Sequence, residues 1–230
     1  FWRTYIETYR RDRKFPPTLP QYIFDEAQWY PPLFPMLMAR LPAGVFDSWS
    51  TQIAIVIDLT RMFLLLLVAT WFGGTNAWVV LIAGLIYSTT PIQISYNIQL
   101  NPRSVAALFL DALLISLLWS LHPAGHWWGW VIVALLSGCI LLTHKLTTQL
   151  FWFLMLGTAL IYRRWEFAAL IPVSIAVAMI MSRGFYWRVL VAHWDIVTFW
   201  DRNWRWIGAD PIRESPVYGD GTYQRPQKLH

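Results

Sequence analysis

Between Thr51 and Ser182 the chain carries eight charged residues in 132: Asp58, Arg61, Arg103, Asp111, Lys145, Arg163, Arg164 and Glu166. A folded domain in water displays far more charge than this, because its surface must be solvated. The stretch therefore belongs in lipid, where a spanning element satisfies its backbone hydrogen bonds internally. The remaining charges lie in the two flanks and must meet water or headgroups. Three regions follow: an outer segment with membrane-proximal helices over 1–50, a transmembrane bundle over 51–182, and an interfacial helix with an irregular tail over 183–230.

Crossing roughly 30 Å of hydrocarbon takes about 20 apolar residues at 1.5 Å each. On that measure the sequence predicts an all-α, polytopic bundle of about six spans. The first runs from Gln52 to Phe72 and stops at Gly73-Gly74-Thr75-Asn76. The second runs from Ala77 to about Tyr96, with Pro91 bending its last turns, and the third from Arg103 to Leu121, with Asn101-Pro102 in the cap and first-turn positions. Trp127 to Thr143, Thr148 to Tyr162 and Trp165 to Met181 complete the set, and Trp127, Trp128 and Trp130 mark a headgroup level. Six spans place both flanks on one side. Arg163-Arg164, as the positive-inside signal, would put that side outside, together with Asn97 to Arg103 and His144-Lys145. Tyr186 to Trp206 mixes aromatic and charged residues as an interfacial helix does, and the segment beyond Gly208 reads as irregular.

Several function classes drop out. The net charge is +5, with basic and acidic residues interleaved in the flanks, so no concentrated basic face is available for nucleic acid. Cys139 is the sole cysteine and sits in an apolar run, as a small buried side chain does; it forms no disulfide within the chain. His122 and His126 are four apart, but Pro123 and Gly125 break the helix between them and no cysteine or carboxylate lies near, so no metal ligands are assigned. The chain opens at Phe1 with no apolar stretch before Thr51. Either processing removed a segment or the sequence starts inside a larger protein.

The polar residues inside the apolar region are the candidates for chemistry or for helix orientation. Asp58 and Arg61 are three apart and share a helical face, which predicts an ion pair along the first span. Asp111, mid-way along the third span, has no basic residue within a turn and must find one on another helix or take a proton. These three are structural residues or, in a transporter, pathway residues. Arg103 and Lys145 fall at the same face. They either converge on a phosphate, one as a fork of donors and the other as a point charge, or snorkel to ordinary lipid headgroups. Asp25 and Glu26 precede a proline-stiffened loop, Tyr30-Pro31-Pro32-Leu33-Phe34-Pro35, where a carboxylate either accepts a proton from a hydroxyl or is merely solvated.

That loop with its continuation Met36-Leu37, then Thr89-Thr90-Pro91, Asn101-Pro102-Arg103 and Leu142-Thr143-His144-Lys145, resembles the GT-C superfamily of polytopic glycosyltransferases. The resemblance covers roughly Glu7 to Ser182 and is to the amino-terminal half of such an enzyme. It implies inverting transfer of a sugar from a polyprenyl-phosphate donor to a hydroxyl on a lipid, glycan or protein. Arg103 and Lys145 would hold the departing phosphate, Tyr30 and His144 would complete the substrate-binding set, and Asp25 or Glu26 would activate the acceptor. Members begin with a membrane helix that leads into a loop bearing the catalytic acid. That helix is absent from this sequence, and Asp25 and Glu26 stand as substitutes. The implied partners are membrane lipids, the polyprenyl-phosphate sugar and further membrane subunits, in a bacterial plasma membrane. A divalent metal is compatible with the family, although no residue set here forms a site for one. Two other classes compete: a non-enzymatic subunit of a larger membrane complex, and a transporter built on Asp58, Arg61 and Asp111.

Overall fold

A computed structural model describes residues 2–15, 17–19, 24–27, 30–90, 100–123 and 125–207. The chain divides into two compact units, Phe1–Val189 and Leu190–His230. In the first, α1 (Trp2–Asp12) is followed by a short antiparallel pair, β1 (Thr18–Leu19) and β2 (Phe24–Ala27), in which Thr18 faces Ala27 and Leu19 faces Phe24. Next come α2 (Leu33–Arg40), α3 (Ala43–Gly73), α4 (Ala77–Thr89), α5 (Pro102–Leu121), α6 (Trp128–Leu141), α7 (Lys145–Tyr162) and α8 (Glu166–Met181). The helix α9 (Tyr186–Ile207) starts at the end of this unit and supplies the described part of the second. The expected tail beyond Gly208 and the last turns of the expected second span lie outside the described residues.

Local chemistry sets the helix ends. The Asn101 side chain accepts hydrogen bonds from the backbone N–H groups of Arg103 and Ser104, and Pro102 occupies the first turn of α5, where no N–H is needed. Asn76 caps α4 in the same way through the N–H of Trp78. Gly74 ends α3 at a positive φ of 56°, which glycine enters without Cβ strain, while its N–H bonds the carbonyl of Thr70.

α3 and α5 are the two helices long and apolar enough to cross a membrane among the described residues. In their most apolar windows only 11% and 28% of residues are buried inside the protein. A core helix of a water-soluble domain would be mostly buried. Here Ile55, Val56, Leu59 and Phe63 of α3 all stand more than 45% exposed, a surface suited to hydrocarbon rather than to water. At 31 residues α3 is about 46 Å long, more than the roughly 30 Å of a hydrocarbon core, and its first turns, from Ala43, precede the apolar run. The six expected spans are thus only partly matched: α4, α6 and α8 are apolar but 13, 14 and 16 residues long, short of a full crossing.

α3 and α5 run parallel: Arg61 meets Asp111 midway, and Trp71 meets the His122 ring, 6.0 Å between centroids, at the far end. α6 returns beside α5. Its Gly138 lets α8 approach, since an added Cβ would fall 2.6 Å from Val177 Cγ1. At the near end, Ile6, Phe34, Met38, Phe46, Ala54, Leu100 and Val105 form a core that ties the amino-terminal flank to the start of the bundle. Arg10 locks this junction by donating to the carbonyls of Met38, Ala39 and Leu41, thereby capping the carboxyl end of α2.

Candidate phosphate site

The site forms where α5 and α7 begin. The Asn101 cap fixes Arg103 in the first turn of α5: Asn101 Oδ1 accepts the backbone N–H of Arg103 at 2.8 Å and that of Ser104 at 3.1 Å. His144 caps α7 from an extended backbone; its Nδ1 accepts the Thr147 N–H at 3.3 Å and lies 2.9 Å from the Thr147 hydroxyl. With Nδ1 accepting, the neutral ring carries its proton on Nε2 as a donor. The Pro31-Pro32 segment reaches this corner through a hydrogen bond from the Leu33 N–H to the Leu142 carbonyl, 2.8 Å long. Tyr30 is set by an edge contact with Trp2, 4.8 Å between ring centroids.

Arg103 links these parts electrically. Burial lowers the pKa of His144 and the positive charge of Arg103 lowers it further, to about 4. Burial raises the Tyr30 pKa above its ordinary value, and Arg103 opposes that rise. Lys145, half-buried ahead of the expected fifth span, is held below the usual lysine range by desolvation. Tyr30 and His144 therefore both lie within electrostatic reach of Arg103, and Lys145 follows His144 in the first turn of α7. Two helix amino termini, each the positive end of its dipole, open at this same place. A fork of donors, a neutral Nε2–H and a point charge are groups whose chemistry suits a phosphate.

No protein-family model, curated protein or solved structure matches the chain.

Asp25 and Glu26 lie in β2, and their side-chain positions are outside the described residues. They precede Tyr30 by five and four residues, so their Cα atoms are at most about 18 and 14 Å from it. Among the described residues, no three His, Cys, Asp or Glu side chains gather to hold a metal.

A second polar cluster sits deeper. Arg61 donates from Nε to Asp111 Oδ2 at 2.7 Å, so the partner that Asp111 requires comes from α3, 50 positions away in sequence. The ion pair of Arg61 with Asp111 crosses between helices, and Asp58, expected to pair with Arg61 along one face, accepts the Tyr87 hydroxyl at 2.7 Å. The physical reason is reach. A guanidinium extends toward the neighbouring helix, and a carboxylate in lipid draws in any donor. Tyr87 and Thr147 are the participants that sequence reasoning missed. The spacing His144-x-x-Thr147 is that of a helix cap and its third residue, which is a legible signal; Tyr87 is a lone phenol in an apolar run and gives none.

Proposed function

We propose that the chain is a six-span protein of a bacterial plasma membrane that binds a polyprenyl-phosphate sugar at the Tyr30, Arg103, His144 and Lys145 corner and transfers the sugar to a hydroxyl. The observation that carries this is the hydrogen bond from the Leu33 N–H to the Leu142 carbonyl, 2.8 Å long, which brings the loop after Tyr30 to the start of α7, where the charge of Arg103 acts on both Tyr30 and His144. Six spans are supported by the alternation of the described helices between two ends, the shorter ones being accommodated by local thinning and by neighbours. The apolar exterior of α3 supports lipid as the surrounding phase.

In the reaction the acceptor oxygen attacks the anomeric carbon while the bond from that carbon to the phosphate oxygen breaks. The lipid phosphate leaves with the electron pair, and Asp25 or Glu26 takes the acceptor proton. Arg103 and Lys145 neutralise the leaving phosphate, and the His144 Nε2–H adds a donor that carries no charge of its own. Release of polyprenyl phosphate from a panel of polyprenyl-phosphate sugars, by the full-length protein in nanodiscs, tests the proposal. Turnover that falls at least tenfold in Arg103→Gln supports it, and release that is unchanged by this substitution refutes it.

A second reading, a non-enzymatic subunit, is favoured by α4, which buries none of its residues despite its apolar composition. Native mass measurement in mild detergent separates the two: a stable heteromeric partner on α4 supports the subunit.

A further inference from the structure

The Arg61–Asp111 pair borders a cavity of about 740 Å³, walled by apolar residues such as Leu114, Leu118 and Met155. That volume lies within the ~300–1,000 Å³ range of small-ligand sites. The cavity opens toward the outer surface of the bundle, since two of its lining residues, Ile86 and Tyr162, are 61% and 68% exposed. Hydrocarbon chains therefore meet its mouth.

Its interior chemistry selects an occupant. Arg61 is 10% exposed and Asp111 29%, so the carboxylate is the part of the pair that faces the space. Asp111 Oδ2 is occupied by Arg61, whereas Oδ1 has no donor among the described residues. A half-used carboxylate beside apolar walls needs a donor from whatever fills the cavity. Each arginine on the wall already has a carboxylate partner: Arg61 pairs with Asp111, and Arg164 pairs with Glu166. An anionic head group would therefore meet cations that are already neutralised, whereas a neutral donor needs none. We infer that the cavity binds a neutral amphiphile with one hydrocarbon chain, the chain lying along the leucine walls and a hydroxyl donating to Asp111 Oδ1. This site is separate from the phosphate corner. Asp111 is eight residues along α5 from Arg103, about 12 Å, too far for a hydroxyl held there to attack a sugar bound at Arg103. The inference does not rest on the glycosyltransfer proposal.

The test uses the full-length protein in nanodiscs with a diazirine-bearing hexadecanol as photoprobe, and hexadecanol and hexadecyl methyl ether as competitors. The two competitors have nearly the same chain, but only the alcohol can donate. Crosslinks are expected on peptides containing Leu114, Leu118 or Met155. Hexadecanol is expected to displace the probe at least tenfold more effectively than the ether, as loss of a hydrogen bond to a charged group requires. Leu118→Trp fills the cavity and is expected to abolish labelling, and Leu114→Phe provides a second filled cavity should the first variant fold poorly. Equal competition by alcohol and ether overturns the Asp111 contact. Labelling that persists in the filled variants, or that neither competitor displaces, overturns the site.

Discussion

Removing one partner of the Arg61–Asp111 pair should cost more than removing both. In Asp111→Asn the guanidinium, 10% exposed, loses the carboxylate that it contacts across the helices at 2.7 Å. Breaking a buried ion pair by removing one partner costs about 3–5 kcal/mol. In Arg61→Met the remaining carboxylate is 29% exposed to the cavity and can recruit water or a proton, so about 2 kcal/mol is expected. The double variant Arg61→Met/Asp111→Leu replaces both groups with apolar ones and should lose only about 1 kcal/mol or less. The coupling is then several kcal/mol. For a chain of this size, 3 kcal/mol corresponds to a fall of about 6–12 °C in Tm. Thermal unfolding of the three variants in one detergent, followed by the fraction remaining monodisperse, measures it. Single variants that each fall by less than 2 °C, or a double variant whose loss is the sum of the two, refute the cross-helix pair as the lock between α3 and α5.

His144 is neutral in the fold, with its pKa lowered to about 4 against 6.5 in the unfolded chain, so its contribution is complete above pH 6.5 and is lost as pH falls from 6.5 through 4. The shift corresponds to about 3 kcal/mol, and Tm measured at pH 7.5 and 4.5 should show a loss that His144→Gln largely removes; an identical loss in the variant contradicts it. Arg10→Ala leaves three carbonyls at the end of α2 without their cationic donor and should destabilise the flank by about 2 kcal/mol, seen as faster proteolysis before Ala43; unchanged proteolysis contradicts it. Cysteines introduced at Thr75 and Lys14, both exposed, should react with an impermeant thiol reagent from opposite sides of the membrane. Labelling from the same side contradicts the six-span arrangement.

Much of the framework is legible in the sequence because its signals are local. Asn101-Pro102 announces the start of α5 and Gly73-Gly74 the end of α3, since each acts on its own backbone. The start of α3 is less legible. Its first two turns, from Ala43, carry Asp47 and two serines, and a helix that begins before the apolar run gives no hydropathy signal there. The helix α1 escapes individual recognition amid its arginines, although Trp2, Tyr5, Ile6 and Tyr9 already show the i, i+3, i+4, i+7 spacing of a buried face. Partners distant in sequence are the hardest. Arg61 has Asp58 three positions away and Asp111 fifty positions away, and helix packing determines the ion pair with Asp111. The candidate site was legible in residue type, because prolines, a cap and two cations stand out against an apolar background. Its assembly was not, because the hydrogen bond from Leu33 to Leu142 that joins the loop to α6 is a backbone contact with no side-chain signature.

The phosphate corner is tested most directly by competition binding of a polyprenyl phosphate and an ordinary anionic phospholipid to the wild type, Arg103→Gln and Lys145→Gln. Selective binding of polyprenyl phosphate by the wild type is expected, with a loss of about tenfold or more in each variant and only partial recovery in Arg103→Lys, where the fork of donors is missing. Equal affinity for the two lipids in all the proteins would contradict a donor site at this corner.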